Sequence, residues 1–365
     1  MKFKKNKLIV SIIVVLIILM FIIVNYANEN YKEEQRVHIA GITDSIQRRV
    51  SSIFLEINNF PHDAGNDILF LKNSRYLQEL INTQDKEDYK NKLEQYFLKF
   101  LKSNKVYLQL RYIDENGHEI IKIKFNGSEY KIFSESYLQN KKDKYYFKNT
   151  MKLGDEEIYI STLDLNKENG ILEKKEWDNS QVYIPTIRYS TPLFDDKGKP
   201  KGILISNIDA DYFLEDIRRA QKNDEKMFLL DNQGYYIAHP NRSKEFSFIF
   251  DGEHAFFKDY PEVNEKILTN FKEKKVETDN NIFTFRFIYP TFGSFELYEG
   301  SKKILGDNPG DKYYWILVSV SEKIKIENTV KGLKTKNNNL VLFSGIMIGI
   351  LFILILLLAY KNGIE

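Results

Sequence analysis

The sequence predicts an α+β protein set between two membrane-spanning helices. A long N-terminal stalk helix carries two tandem modules of antiparallel sheet with flanking helices. Three observations predict it. Uncharged apolar segments lie near both ends, Leu8–Val24 and Leu340–Ala359. A regular apolar stripe follows the first of them. Beyond the stripe, three pairs of short alternating segments are each joined by a turn that holds an acidic or amide residue and then a glycine.

The two apolar segments reach the length at which a helix crosses the hydrocarbon core, and they are apolar all round, unlike a buried helix of a soluble domain. Lys2, Lys4, Lys5 and Lys7 precede the first. By the positive-inside rule they hold the N-terminus in the cytoplasm. A cleaved signal peptide would also begin with lysines, but its apolar core is shorter, and Asn25-Tyr26-Ala27 is a poor cleavage site. Two retained spans place residues 26–339 outside the cytoplasmic membrane and return both termini to the cytoplasm. Residues 1–7 form the cytoplasmic N-terminus, 8–25 the first span, 340–360 the second span and 361–365 a cytoplasmic tail.

The stalk covers residues 26–60. Ile39, Ile42, Ile46, Val50, Ile53, Ile57 and Phe60 recur at intervals of three and four, and Pro61 is expected to end the helix. The stripe buries itself against its own domain or against a second copy of the chain. A second helix is expected around Tyr89–Leu101. The period then becomes strand-like: Val106–Ile113 and Glu119–Phe125 flank an Asn-Gly turn, Glu157–Leu163 is a short strand, and Thr186–Phe194 and Gly202–Ile208 form a second hairpin. A helix over Tyr212–Ala220 leads to a polar break, Gln221–Glu225. Alternation restarts with Met227–Leu230 and Tyr235–Ala238 and continues at Ile282–Ile288, Ser294–Tyr298 and Tyr313–Val320. The two modules are thus 61–220 and 221–322, and 323–339 is a connecting helix.

Composition removes several classes. The 53 Lys+Arg nearly balance the 51 Asp+Glu, which argues against a nucleic-acid binder. Four of the lysines precede the first span, so the segment between the spans is close to neutral. Absent cysteine excludes disulfides and thiolate chemistry. The five histidines show no metal spacing. Asp164–Gly170 resembles a calcium loop superficially, but its glycine falls one place late and Lys175 stands where the bidentate glutamate belongs, so it reads as a turn. Phosphate-loop, dinucleotide and nucleophile-elbow motifs are lacking. No cofactor, metal or catalytic set is implied.

At this point the order of motifs resembles the double Cache (tandem PAS-like) extracellular sensor domain of bacterial and archaeal membrane receptors, closest to those of histidine kinases. The residues that carry the resemblance are Tyr159–Asn166, Pro185–Phe194, Gly198 and Gly202–Ile208, then Leu230–Tyr236 and Ala238-His239-Pro240. It covers nearly all of residues 28–338 and implies a ligand-binding membrane-distal module, a membrane-proximal module and a helix displacement passed to the second span. Amino-acid-binding members are similar to one another in an Arg-x-Trp-Tyr pocket with a later Asp. Here Asp143-Lys144-Tyr145-Tyr146 stands at that place, with Lys142 or Lys144 as a substitute cation, and Asn207 replaces the Asp. An α-amino acid held in the usual way is therefore not expected.

The candidate ligand-binding residues are Arg111, Tyr145, Tyr146, Tyr159, Ser161, Arg188, Tyr189 and Asn207. Tyr145-Tyr146-Phe147, in a loop-like stretch, reads as a pocket wall or as a lid packed on its own core. Arg111 and Arg188, cations within apolar strands, read as anion ligands or as structural ion pairs. The expected partners are a small-molecule ligand, the membrane, a second copy as a homodimer and a separate signalling protein, since only Lys361–Glu365 follows the second span. Two further readings stay open: a membrane-anchored binding or assembly protein without signalling output, and an exported enzyme with an unrecognised site.

Overall fold

The computed structural model describes residues 2–83, 86–177, 179–221, 225–263, 266, 275–290, 304–306 and 313–361. The strand expected at Ser294–Tyr298, residues 222–224 of the polar break and most of the C-terminal tail lie outside them. The chain divides into two compact units, one of residues 49–278 and 283–320, the other of residues 1–48, 279–282 and 321–365.

The first helix, α1 (Lys2–Lys72), runs through Pro61. The expected stop there is corrected for a tertiary reason. A proline in a helix interior costs about 3 kcal/mol. The apolar period continues beyond it, and Ile57, Ile68 and Leu71 are all fully buried; each such side chain contributes about 1.5–3 kcal/mol. Helix α2 (Arg75–Asn82), with Leu77, Leu80 and Ile81 inward, was not expected. Helix α3 (Lys86–Ser103) matches the pattern around Tyr89–Leu101.

The unit of residues 49–278 and 283–320 holds two sheets. The strands are β1 (Tyr107–Ile113), β2 (Glu119–Phe125), β3 (Tyr130–Ile132), β4 (Ile158–Ile160) and β5 (Asp164–Leu165). Two short hairpins follow, β6 (Lys167–Glu168) with β7 (Ile171–Leu172) and β8 (Lys174–Trp177) with β9 (Ser180–Tyr183). Next come β10 (Pro185–Phe194), β11 (Pro200–Asp209), β12 (Lys226–Leu230), β13 (Tyr236–Ala238), β14 (Lys275–Glu277), β15 (Asn281–Ile288), β16 (Ile304–Gly306) and β17 (Trp315–Glu322). The first sheet has the order β16-β4-β10-β11-β1-β2-β3, with β5 also on β10; the second has the order β13-β12-β17-β15-β14. All pairings described in the first sheet are antiparallel except β16 on β4, which is parallel.

The three expected hairpins share one turn device. Asp114 accepts from the amides of Asn116 and His118, Asp195 from those of Lys197 and Lys199, and Asp231 from those of Gln233 and Tyr235. Each carboxylate replaces hydrogen bonds that the turn backbone cannot make for itself.

One face of the first sheet lies on α1. Phe60 meets Tyr189 edge-on at 6.4 Å and Phe213 of α5 (Asp211–Arg219) at 5.1 Å. A register shift between Tyr107 and Gln109 turns Tyr107 to this side, where its hydroxyl donates to Asp67 at 2.5 Å. The second sheet buries Phe228, Tyr236, Phe283, Phe285 and Ile316, with Phe256 of α6 (Phe256–Asp259). Phe213 stacks on Trp315 at 5.9 Å, and Arg218 of α5 grips Glu245 with two hydrogen bonds of 2.7 and 2.8 Å. These contacts join the two sheets.

In the other unit, β17 gives way at Lys323 to a helix that runs to Lys361. Both this helix and α1 contain a stretch long and apolar enough to cross a membrane. Ile13, Leu16, Ile17 and Met20 face Gly345, Ile348, Gly349 and Phe352 across an apolar gap of about 320 Å³.

Gly202 sits at φ +115°, and a Cβ there would lie 2.0 Å from the Ile113 carbonyl oxygen. Gly198, at φ +74°, has open space. Gly202→Ala should therefore cost at least about 3 kcal/mol, and Gly198→Ala only about 1 kcal/mol, in thermal or denaturant melts of the full chain.

Candidate ligand-binding site

The second face of the first sheet carries the polar residues. Cross-strand register aligns Lys124, Gln109, Asn207 and Arg188 in one row and Lys122, Arg111, Ile205, Ser190 and Tyr159 in the next. Side chains alternate along a strand, so Arg188 faces this side and its neighbour Tyr189 cannot. Arg111 and Arg188 are 4 % and 6 % exposed.

Two buried guanidinium groups on one sheet face repel each other and must be given acceptors. Arg111 donates to Glu119 at 3.3 Å, to the Tyr146 hydroxyl at 3.2 Å and to Asn207 Oδ1 at 3.0 Å. Arg188 donates to Asp164 at 3.0 Å, to the Tyr145 hydroxyl at 3.2 Å and to Asn166 Oδ1 at 3.4 Å. Asn207 Nδ2 donates to the same Asn166 oxygen at 3.2 Å, which closes the bridge between the two arginines. Ser161 exchanges hydrogen bonds with the Arg188 backbone, its hydroxyl accepting from the amide at 2.9 Å. Burial works against both guanidinium charges. Tyr146 and Glu119 outweigh it for Arg111, Asp164 and Tyr145 for Arg188, so both pKa values end above the ordinary value.

A second tier surrounds the bridge. Glu168 accepts from Lys122 at 3.0 Å and Lys124 at 3.3 Å, and Glu173 accepts from Lys124 at 2.5 Å and Asn166 at 2.6 Å. Burial would raise the Glu168 pKa, but Lys122, Lys124 and Lys141 hold it at about 2.

The segments that supply these acceptors are short and local. Helix α4 (Tyr145–Thr150) replaces the loop expected there; Tyr146 and Phe147 are buried among Ile113, Leu153, Tyr159, Ile203 and Ile205, while Tyr145 stays 41 % exposed. The aromatic run is thus both a wall for the arginines and a lid on its own core. The Asp164–Gly170 turn supplies Asp164, Asn166 and Glu168.

Arg111, Tyr145, Tyr146, Ser161, Arg188 and Asn207 are brought into one network, and Tyr159 packs beside Tyr146 on the same face. Tyr189 is not brought to it: it is buried on the α1 side against Phe60. Asp143 is solvent-exposed and paired with Lys148 at 3.1 Å, away from the network. Sequence reasoning missed Glu119, Lys122, Lys124, Asp164, Asn166 and Glu168 as members. The parity of Lys122 and Lys124 was the one available signal; the acidic partners arrive from distant segments. Among the described residues no group of three or more His, Asp or Glu could hold a metal ion.

A long helix bearing mainly antiparallel sheets is the architecture of Cache-like sensor domains. The chain belongs to the family described as "Bacterial histidine kinase, sensor domain", whose model matches residues 56–293. Sensor domains of this kind are non-catalytic modules. The chain is similar to the extracellular domain of a protein described as the histidine kinase vpHK1S-Z8, with a TM-score of 0.62 and 18% identity over 82% of this chain and 99% of that one. It is similar, too, to a domain of a sensory box/GGDEF family protein from Vibrio parahaemolyticus, with TM-score 0.62 and 18% identity over 80% and 99% of the two chains. Methyl-accepting Chemotaxis protein X matches with TM-score 0.50 and 8% identity over 78% and 98%. At these identities the likeness is one of fold. No curated protein matches the chain.

Two outcomes follow from the network. Arg188→Met strands Asp164 and should cost about 2–3 kcal/mol, part of which Arg188→Met combined with Asp164→Leu restores; denaturant melts check this. Glu168, with its pKa lowered from 4.5 to about 2, stabilises the fold fully above about pH 4.5 and loses that contribution as the pH falls towards 2. The melting temperature of Glu168→Gln should therefore fall less steeply across that window than that of the parent chain.

Proposed function

We propose that the protein is an extracytoplasmic small-molecule sensor, anchored in the cytoplasmic membrane by two spans with both termini inside. Residues 61–220 act as the membrane-distal, ligand-binding module and residues 221–322 as the membrane-proximal one. The ligand acts at the Arg111–Asn207–Asn166–Arg188 bridge, and the signal leaves through the second span to a separate signalling partner. A homodimer is the working unit.

The observation that carries this reading is that part of the bridge is held by segments outside the central strands. All three acceptors of Arg188 and one of those of Arg111 come from α4 and from residues 161–168, and the latter segment is tied onward. The Leu163 amide donates to the Tyr313 hydroxyl at 2.9 Å, and Trp315 Nε1 donates to the same oxygen at 2.9 Å. Trp315 opens β17, whose last residue, Glu322, precedes the C-terminal helix. A ligand that draws on the hydrogen bonds of the bridge shifts residues 161–164 and thereby loads β17. It shifts the two-state balance only by its difference in affinity for the two arrangements.

The full chain in lipid nanodiscs can be screened by thermal shift against organic acids, amines and sugars. At least one compound should stabilise the parent chain and lose tenfold or more in apparent affinity on Arg111→Lys or Tyr145→Ala. It should also change hydrogen exchange in the helix Lys323–Lys361. Binding indifferent to both substitutions would place the site elsewhere.

A further inference from the structure

The proposed site treats its donors and acceptors unequally. Every carboxylate on this face is committed: Glu119 to Arg111 and to the Gln139 amide, Asp164 to Arg188, Glu168 to Lys122 and Lys124, Glu173 to Lys124 and Asn166. On this face three buried side-chain groups able to donate have no partner among the described residues: Arg111 Nε, Gln109 Nε2 and the Tyr159 hydroxyl. Their residues are 4 %, 2 % and 1 % exposed. An unmade hydrogen bond at such depth is costly, so an orphan of this kind calls for an occupant. All three lie on the network face of the sheet. Arg111 and Gln109 are two residues apart on β1, about 6.7 Å between Cα atoms, with Gln109 opposite Asn207 and Arg111 opposite Ile205 in the register.

The charges are unequal too. Arg111, Arg188, Lys122 and Lys124 each have a carboxylate partner. Lys141, 8 % exposed, bonds Gln139 and has no carboxylate within ion-pair distance among the described residues. Burial lowers its pKa, with Glu119 and Tyr146 opposing. One cation is thus left over beside Arg111, and no anion is left over to meet an ammonium group.

From this we infer that the ligand is a small organic monocarboxylate without an amino group, its two oxygens taking the free donors of Arg111 and Gln109 while Lys141 balances its charge. This rests on the site proposed above. A planar carboxylate offers two in-plane acceptor oxygens to two separate donors, and one negative charge matches one unpaired lysine. A tetrahedral dianion would bring one charge too many. An α-amino acid would bring an ammonium with no free carboxylate to receive it, and an amine would bring only further donors.

The test uses the full chain in nanodiscs and matched probes: propionate and lactate, their amides, alanine, propylamine and inorganic phosphate, titrated at millimolar concentration by calorimetry and thermal shift. A carboxylate should bind at least tenfold more tightly than its amide, than alanine and than phosphate. Gln109→Leu and Lys141→Met should each weaken it fivefold or more. Because Gln109 Nε2 is unpaired, Gln109→Leu should leave the melting temperature without probe unchanged or raised, which separates lost binding from lost folding. Should alanine, an amide, an amine or phosphate bind best, and depend on Arg111, the site would stand and the ligand class would fall. Carboxylate binding untouched by substitutions at Arg111, Gln109 and Lys141 would remove both. Failure of both carboxylates to bind would overturn the class and leave the orphans to bridging water.

Discussion

The domain depends on how two guanidinium groups are kept charged inside it. Arg111 and Arg188 stand on one face of a sheet, two strands apart, and both are almost wholly withdrawn from water. A bare guanidinium at such depth is too costly to survive, and two of them compound the cost. Asn207 lies between them in the register and offers an oxygen to Arg111; its amide nitrogen then requires Asn166. The positions of α4, of residues 161–168 and of the Glu119 end of β2 follow from the need to bring acceptors to this one line. The opposite face obeys simpler rules: it is apolar, and it lies against α1.

That contrast explains what could be read from the sequence. Both hairpins of the first sheet and the first of the second were legible because a local device makes each one, an aspartate that caps its own turn four residues on. Expected and observed bounds of β2 coincide, and those of β1, β10 and β12 differ by a residue or two. Pro61 misled because its effect is local while the force that overrides it is tertiary: buried residues on both of its sides outweigh one lost hydrogen bond. Helix α2 is too short for its period to stand out.

The candidate site divides in the same way. Arg111 and Arg188 were visible as charges inside apolar strands, and the tyrosines of α4 as an aromatic run. Tyr189 was placed with them although it adjoins Arg188, and strand parity alone separates the two. The residues that answer the arginines come from across the fold. Glu119 lies eight residues from Arg111, and Asp164 lies 24 from Arg188 in a turn that looked self-contained. Nothing in a single sequence says which distant carboxylate a buried cation will meet. The register of a folded sheet does.

The parallel strand β16 has a consequence for how the chain comes to be folded. The first sheet is otherwise complete by Asp209, yet its outer strand β4 is covered by residues 304–306, which arrive about a hundred residues later. Until they do, β4 is an open edge, a row of free amides and carbonyls that any extended segment can pair with. Contacts of such long sequence separation form late, because the loop they close must first be ordered. During synthesis the first sheet therefore waits with one side unsealed while the second is made. The seal, β16, lies in the chain between β15 and β17 of the second sheet, and sheets that assemble in this order finish together.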